Sequence, residues 1–353
     1  MIVIIIVINI YKIFMSTDID KYNLKKVISE EYKQIQEGLS LAGDIKFDHK
    51  FDSIMISGMG GSALPGNVLR IFINYTFKDS KEKRLQVFQN RFYGLPTEAY
   101  GNCLNIICSY SGNTEETIAS FQECLDSNLP CVGFSNGGKI KEMCLANNIP
   151  HVEVPYPFDN FQPRMATGYF VFSIFQLLIN SGLIKFDVTR LSEVSEKLRL
   201  RTNELEEQGK ALAKKLVGVT PIIYAGTYFK AVANIWKIKI NENAKTPAFW
   251  GYFPELNHNE MVGFTNPQAK FFFVMLLDEN DHPQNIKRFM VTKELMEKRG
   301  MESEIIKITG DNTFEKVFAT LLLGDWTSYY LALEYGIDPT PVDMVEEFKE
   351  LIK

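Results

Sequence analysis

Blocks of apolar and polar positions divide most of the chain into buried strands followed by helices. Two stretches start alike, with an apolar run, a turn of small residues and a helix start: "FDSIMISGMGGSALPG" at 51–66 and "VTPIIYAGTYFKAVAN" at 219–234. A second buried strand follows each of them, from 103 and from 269. Strands that alternate with helices predict an α/β fold with parallel sheets covered by helices on both faces.

The same order continues in both halves and indicates an internal duplication. Each second strand leads to a helix and a shorter strand, predicted near 114–127 and from 130 in the first half, and near 283–299 and from 303 in the second. Ligands of such folds bind beyond the carboxyl ends of the strands. The loops that follow the strands are therefore the places to look for chemistry.

The remaining elements set the expected domain bounds. An amphipathic helix at about 164–182 and a charged helix from 191 lie between the halves, and helices that follow "GDN" and "DPTPVD" close the chain. We expect four segments: an N-terminal extension and first helix at 1–36, a first domain at 37–160, linking helices at 161–205, and a second domain with C-terminal helices at 206–353.

Composition and charge limit the class of partner. The chain is 46% hydrophobic and 23% charged, with a formal net charge of -5 and no long run of Lys or Arg. That balance excludes disorder and offers no basic surface to nucleic acid or anionic lipid, so a small molecule is the expected partner. The cysteines lack CxxC or metal-ligand spacing and are expected to be reduced core thiols of a cytoplasmic protein: Cys103, Cys108, Cys124, Cys131 and Cys144.

The first residues, "MIVIIIVINIYKIF", are apolar but shorter than the roughly 20 residues of a spanning helix. They lack a basic start and are followed by no small-residue cleavage site, so a signal peptide is not predicted. "STDIDKYN", which follows Met15, has the composition of a helix cap. We expect residues 1–14 to be an upstream extension outside the functional fold; an edge strand or membrane-associating tail is the alternative.

The first loop, "GMGGSA", satisfies GxGxxA through Gly58, Gly60 and Ala63. A dinucleotide fold would also need an acidic residue at the end of the next strand, where "LQVFQNR" has none. A nicotinamide dehydrogenase is therefore a third-ranked alternative. The glycines are better explained by a tight turn whose backbone N–H groups face an anion, and a turn without a ligand remains open.

The second loop, "SYSGNTEET", gathers the hydroxyls of Ser109, Ser111 and Thr114 where a strand ends and a helix begins. Hydroxyl donors, unpaired N–H groups and the positive end of a helix dipole together form a phosphate site that needs no lysine. An ordinary helix cap accounts for Thr114 alone. The loop therefore predicts a phosphomonoester ligand.

The second half carries acid–base groups in place of these loops. "YAGTYF" lacks the double glycine and "LLDEND" lacks the hydroxyl cluster, but "INENAKTPAFWGYFPELNHNEMVG" supplies Glu242 and His258. An imidazole that titrates near neutrality and a partly desolvated carboxylate can move protons within a sugar phosphate. Glu255 or Glu260 could replace Glu242 as the base. The other histidines are expected to be surface or core residues: His49, His151 and His282.

From about residue 20 onward, "SGMGGSALPG", "SYSGNTEET", "NENAK" with "PELNHNE", and "DPTPVDMVEEFK" occur in order. In these motifs the chain resembles the bifunctional phosphoglucose/phosphomannose isomerases of the sugar isomerase (SIS) superfamily. The resemblance implies two SIS domains, each a flavodoxin-like three-layer sandwich with a parallel sheet flanked by helices.

The resemblance also assigns roles. It places the sugar phosphate on four hydroxyl residues beside two glycines: Ser62, Ser109, Ser111, Thr114, Gly60 and Gly61. It makes Glu242 the catalytic base and His258 the ring-opening group. It makes Arg164 a residue that stabilises the enediolate, with a plain salt bridge as the alternative, and Lys349 a substrate contact. Lys245 is an unassigned candidate for a phosphate or sugar contact.

The implied reaction is the metal-free and cofactor-free interconversion of glucose 6-phosphate and mannose 6-phosphate with fructose 6-phosphate through an enediolate. The resemblance further implies a cytoplasmic homodimer of glycolysis and gluconeogenesis, with active sites at the subunit interface and the histidine supplied by the neighbouring chain. Neither a membrane nor a nucleic acid is an expected partner. The alternatives are a non-catalytic SIS sensor and an SIS isomerase for another sugar phosphate.

Overall fold

The computed structural model describes residues 19–76 and 84–352. The apolar head, with its predicted extension at 1–14, lies outside the described residues. The chain divides into two compact units, one of Glu30–Arg199 and one that joins the segment up to Ser29 with Leu200 onward. Among the helices of the described ranges, none is both long and apolar enough to cross a bilayer.

The strands and helices follow the predicted alternation closely. The strands are β1 (Ser53–Ser57), β2 (Gln86–Asn90), β3 (Cys103–Cys108), β4 (Cys131–Ser135), β5 (His151–Glu153), β6 (Thr220–Gly226), β7 (Phe249–Phe253), β8 (Phe271–Leu277) and β9 (Glu302–Lys307). The α-helices are α1 (Leu24–Glu30), α2 (Gln34–Leu41), α3 (Leu64–Thr76), α4 (Glu115–Asp126), α5 (Gly138–Ala146), α6 (Thr167–Asn180), α7 (Thr189–Lys215), α8 (Lys230–Asn243), α9 (Pro283–Glu297), α10 (Thr313–Glu334) and α11 (Asp343–Leu351).

The unit Glu30–Arg199 is built on a five-stranded parallel sheet in the order β2-β1-β3-β4-β5. Every residue of β1, β3 and β4 is buried, as expected for strands covered on both faces. This is the flavodoxin-like strand order, whose switch point lies between β1 and β3. The predicted fold class is confirmed.

The second unit repeats this arrangement with four strands in the order β7-β6-β8-β9, again all parallel. Strand β6 lies between β7 and β8 as β1 lies between β2 and β3, so its switch point is at β6 and β8. The predicted internal duplication thus corresponds to two parallel sheets whose central strands, β1 and β6, occupy equivalent places.

Helix α6 differs from its prediction. The sequence pattern suggested an amphipathic helix at about 164–182, but nearly all residues from Thr167 to Leu178 are buried. The helix packs against α2 and α3 within the first unit. Its sequence, "TGYFVFSIFQLLIN", is apolar on all sides, and a helix of that kind is buried all round.

The described cysteines all have buried free thiols, as predicted from their apolar surroundings. Burial raises the pKa of the Cys144 thiol to about 12, so this thiol stays protonated near neutral pH. A buried, protonated thiol behaves as a small apolar side chain. The cysteines therefore belong to the core of the first unit rather than to its chemistry.

Candidate functional site

The hydroxyl cluster of the first unit lies at the switch point of its sheet. Ser57, the last residue of β1, pairs with Ile107 in β3, so the loops that follow the two strands lie side by side. The loop after β1 carries Gly60, Gly61 and Ser62, and the loop after β3 begins at Ser109. The fold thus brings together the two loops that the sequence predicted separately.

Ser109 and Thr114 interact directly with each other. Their hydroxyl oxygens are 2.9 Å apart, and the backbone N–H of Thr114 donates to Ser109 Oγ at 3.4 Å. Thr114 is the N-cap residue of α4, yet its side chain makes no capping hydrogen bond. The ordinary cap explanation therefore fails, because the Thr114 hydroxyl faces the fully buried Ser109 instead of the helix.

Ser62 joins the two loops. Its Oγ accepts a hydrogen bond from the backbone N–H of Tyr110 at 2.9 Å, and only 4% of the residue is exposed. Because the oxygen accepts this bond, the hydroxyl proton is left to donate, which suits an anionic ligand. Ser111 is exposed, and its Oγ accepts from Asn113 N at 3.2 Å, which shapes the outer part of the loop.

Gly61 allows Arg164 to approach the first loop. A Cβ added at Gly61 would lie 2.6 Å from Arg164 N and 2.7 Å from Pro163 C, both of them backbone atoms. Arg164 is 1% exposed, and its Nη1 donates to Gln162 Oε1 at 3.3 Å. The structure therefore places the backbone of the predicted arginine against the glycine loop, and the arginine side chain is buried.

Sequence reasoning missed a support behind the second loop. Gly112 lies in a turn that packs closely on Gly137, since a Cβ at Gly112 would lie 1.8 Å from Gly137 O. The backbone N–H of Ile140 donates to Gly112 O at 3.0 Å. Ser135 Oγ donates to Gly137 O at 2.8 Å and lies 2.9 Å from His151 Nε2. His151 thus braces the turn that holds the hydroxyl loop.

No motif marked His151, because its partner Ser135 lies on the adjacent strand and becomes a neighbour only through pairing of β4 with β5. Burial lowers the pKa of the imidazole, and the nearby Lys141 lowers it further, while Glu153 acts in the opposite direction. The ring is therefore kept neutral near neutral pH. His49 and His282 are exposed, as predicted for surface residues.

Glu242 is half-buried and lies one residue before the end of α8 in the second unit. Lys245, which the sequence left unassigned, is exposed just beyond that end and has φ of 50°. Its Nζ donates to the carbonyls of Asn243 at 3.2 Å and Asp338 at 2.8 Å. Lys245 therefore serves the helix terminus, where a cation is favourable.

His258 is exposed at the end of a 3-10 helix, Glu255–His258, and its neighbours are tied down. Asn259 donates to Glu255 Oε1 at 2.7 Å, and Tyr224 donates to Glu260 Oε1 at 2.6 Å. Within the described residues the His258 ring makes no hydrogen bond. The loop thus holds the imidazole outward, and Glu255 and Glu260 act as supports for it.

The second switch point is closed to anions. A Cβ at Gly226, at the end of β6, would lie 2.0 Å from Asp281 Oδ2. Asp278 follows β8 as Ser109 follows β3, and its buried carboxylate forms an ion pair with Lys316 at 2.7 Å. Carboxylates at this point repel a phosphate. The loops of the second half lack the hydroxyl cluster, and carboxylates stand at the equivalent place.

Three further side chains lie outside these loops. Gln89 Nε2 donates to Ala63 O at 2.8 Å and Asn90 Nδ2 donates to Gly94 O at 2.6 Å, so both residues at the end of β2 support the backbone. Lys349 is exposed on α11 and pairs with Glu346 at 2.7 Å. Lys349 is thus a surface residue of the second unit that is paired within its own helix.

Comparison with known proteins decides the family. The family model for the bacterial phospho-glucose isomerase C-terminal SIS domain matches residues 205–352. The bifunctional phosphoglucose/phosphomannose isomerase of Caldicellulosiruptor bescii is 34% identical over 93% of this chain and 96% of its own length. The chain belongs to the bifunctional phosphoglucose/phosphomannose isomerase family. The family member from Aquifex aeolicus is 31% identical over 93% of this chain and 98% of its own.

A solved structure agrees with the SIS fold. The C-terminal domain of glucosamine-fructose-6-phosphate aminotransferase from Francisella tularensis superimposes with a TM-score of 0.65 at 15% identity, covering 92% of this chain and 99% of that domain. At this identity the likeness concerns the fold alone. The reaction has to be argued from family membership and from the residues of this chain.

We expect Gly61→Ala to lower kcat/KM for a sugar phosphate by about 10-fold or more, because the added Cβ displaces the backbone of Pro163 and Arg164. Steady-state kinetics measure the loss, and thermal unfolding monitors the fold. Gly101→Ala is the matched control, since a Cβ there meets only Glu98 O at 3.6 Å. Equal kinetics in the two variants would show that the close approach is not needed.

We expect the stability of the protein to fall as pH drops. The folded pKa of His151 lies below its unfolded value, so the unfolded state binds more protons in the interval between them. As pH falls, the free energy of unfolding begins to decrease near the unfolded pKa of histidine, about 6.5, and the decrease is complete below the folded pKa of His151. Urea unfolding at several pH values should show this slope, and His151→Gln should flatten it. His49→Gln controls for removal of an exposed imidazole, and a slope unchanged in His151→Gln would contradict the prediction.

Proposed function

We propose that the protein interconverts glucose 6-phosphate and mannose 6-phosphate with fructose 6-phosphate. The observation that carries this proposal is the match to bifunctional phosphoglucose/phosphomannose isomerases over nearly their full length, in a chain whose hydroxyl loops adjoin at a switch point. The phosphate would be held by Ser62, Ser109, Ser111 and Thr114, with Gly60 and Gly61 admitting it to the backbone. Hydroxyl and N–H donors suit the oxygens of a phosphomonoester.

The proton transfers would use the second group of residues. His258 moves a proton between the ring oxygen and the anomeric hydroxyl, which opens the sugar. Glu242 then takes the proton from C2 and returns it to C1, while the hydroxyl proton on O2 passes to O1. The C1 carbonyl thereby becomes a hydroxyl and the C2 hydroxyl becomes a carbonyl. An imidazole and a half-buried carboxylate suit these two steps, and the exposed His258 ring is accessible to a ligand.

Arg164 would stabilise the enediolate between the two proton transfers. Its guanidinium is almost fully buried, and a buried cation acts on developing negative charge with less screening than an exposed one. The chemistry needs only proton movement and charge stabilisation, both of which side chains can supply. We propose no resident metal or cofactor, and Lys349 remains a proposed substrate contact.

The proposal also includes a homodimer whose active sites lie at the subunit interface. In this dimer His258 serves the active site of the neighbouring chain. An exposed, outward-facing histidine that makes no hydrogen bond within the described residues is consistent with such a role. We place the enzyme in the cytoplasm, in glycolysis and gluconeogenesis, because phosphorylated sugars do not cross membranes unaided. Buried free thiols suit a reducing compartment.

We expect the pure protein, given fructose 6-phosphate with EDTA present, to form both glucose 6-phosphate and mannose 6-phosphate. Glu242→Gln should lower kcat by about 10²-fold to 10⁴-fold, because an amide cannot accept the C2 proton. Enzyme-coupled assays or NMR of the products measure both results. Formation of only one aldose phosphate would remove the bifunctional assignment.

Glu255→Gln is the matched control for the base. Glu255 is exposed, accepts from Asn259 and is expected to retain most of the activity when neutralised. If Glu242→Gln isomerises at the wild-type rate and Glu255→Gln is inactive, the base is Glu255, in the loop that carries His258. If neither change matters, the base is another residue. If the wild-type protein itself forms no aldose phosphate, a non-catalytic sensor or an isomerase for another sugar phosphate becomes the better proposal.

We expect two inactive variants to restore each other if sites are shared between chains. Glu242→Gln and His258→Asn proteins, unfolded and refolded together, should form mixed dimers with one site that carries both changes and one that carries neither. Random pairing in a twofold dimer should then recover about one quarter of wild-type activity. Each variant refolded alone is the control. No recovery, in mixtures shown to be dimeric, would place Glu242 and His258 of one chain in one site.

A further inference from the structure

The interface between α8 and α10 is unusually polar for a buried helix pair. Lys239 Nζ lies 2.5 Å from Asp325 Oδ1, and the two side chains are only 3% and 2% exposed. Trp236 Nε1 donates to Thr320 O at 2.8 Å on one side of this pair, and Asn243 Nδ2 donates to Ser328 Oγ at 2.9 Å on the other. Two hydrogen bonds, with a buried ion pair between them, therefore run along one side of α8.

These contacts follow the helical repeat. The α8 residues Trp236, Lys239 and Asn243 are spaced three and four apart and so lie on the same face. Their partners on α10 are Thr320, Asp325 and Ser328, which succeed one another in the same order along the chain. Gly324 allows close approach, since a Cβ there would lie 2.6 Å from Trp236 Nε1. The contacts thus fix both the rotation of α8 about its axis and its position along α10.

Stability alone does not explain a buried ion pair in such an interface. Removing two charges from water costs about as much as their attraction returns, and well-packed apolar residues of similar volume often replace such pairs without loss. What an apolar interface lacks is direction, because Leu or Met side chains tolerate small rotations and shifts. The Lys239–Asp325 pair therefore contributes a defined helix orientation.

Glu242 is the residue whose position depends on this orientation. It lies three residues after Lys239 and directly before Asn243, in the last turn of α8. A rotation of about 10° moves a group about 6 Å from a helix axis through about 1 Å. A displacement of that size can cost about 10²-fold in rate when a base must reach a defined carbon atom.

We propose that the buried Lys239–Asp325 pair is a positioning element for the Glu242 carboxylate. The inference rests on the proposed function of Glu242 as the isomerising base, and neither Lys239 nor Asp325 is assigned contact with the substrate. The pair acts by holding the last turn of α8 in one orientation. Its loss is expected to reduce kcat for aldose–ketose interconversion while substrate binding through the first unit is retained.

The test replaces both partners at once, because a single replacement leaves one charge buried without its partner and risks unfolding. The variant Lys239→Met/Asp325→Leu keeps the volume of the interface and should keep the thermal midpoint within a few degrees. We expect kcat to fall by about 10-fold to 10²-fold, with KM for fructose 6-phosphate changed less than about 3-fold. Crystal structures should show the Glu242 carboxylate displaced.

The same helix offers a matched control. Lys316 and Asp278 form the other buried Lys–Asp pair on α10, at 2.7 Å with exposures of 9% and 3%, but Asp278 lies after β8 instead of on α8. The variant Lys316→Met/Asp278→Leu removes an equivalent pair and leaves the contacts between α8 and α10 at Trp236, Lys239 and Asn243 unchanged. We expect its kcat to stay within about 3-fold of wild type.

The outcomes separate this proposal from the function on which it rests. Wild-type kcat and an unmoved Glu242 carboxylate in Lys239→Met/Asp325→Leu would overturn the positioning role and leave the isomerase function intact. Equal losses of kcat in the two double variants would overturn it as well. If Glu242→Gln itself is fully active, the proposed role of Glu242 as the base fails, and the crystal structures alone decide whether the pair positions its carboxylate.

Discussion

The arrangement of candidate groups depends on one constraint of parallel sheets, the switch point between strands that extend the sheet in opposite directions. At that point two loops lie next to each other with no helix covering the gap. In the first unit these loops follow β1 and β3, which bring Ser62 against Tyr110 and place Ser109 beside Thr114. Hydroxyl groups far apart in the sequence are thereby combined into one donor set.

The duplicated unit shows that the topology provides the place while individual side chains decide its use. Both sheets have the same order around their central strands, yet Asp278 stands where the first unit has Ser109. Asp281 fills the space beside Gly226 that a ligand would need. The Asp278 carboxylate forms an ion pair with Lys316 at this location, and the proposed acid–base residues of the second unit, Glu242 and His258, lie elsewhere in it.

Much of this could be read from the sequence, because buried parallel strands are continuous apolar runs and their loops are short. The strand–loop–helix order and the hydroxyl loops were predicted correctly for that reason. Strand β7 was not recognised from the sequence. Its residues, "FWGYF", begin with an exposed side chain and contain a central glycine, so they lack the continuous buried apolar run of β1 or β8. The His151–Ser135 brace and the packing of Arg164 on Gly61 were also missed, since strand pairing and backbone approach create them.

The two groups of candidate residues are held in different ways, and the difference follows from what each has to do. In the proposed function several donors of the first unit hold the phosphate together, and they lie in loops braced by turns such as Gly112 on Gly137. A proton transfer depends on one carboxylate at one carbon atom, where small displacements cost more. Glu242 accordingly projects from a helix whose last turns are fixed by Lys239–Asp325 and Asn243–Ser328. Directional polar contacts in a buried interface, which add little stability, are best explained by that requirement for position.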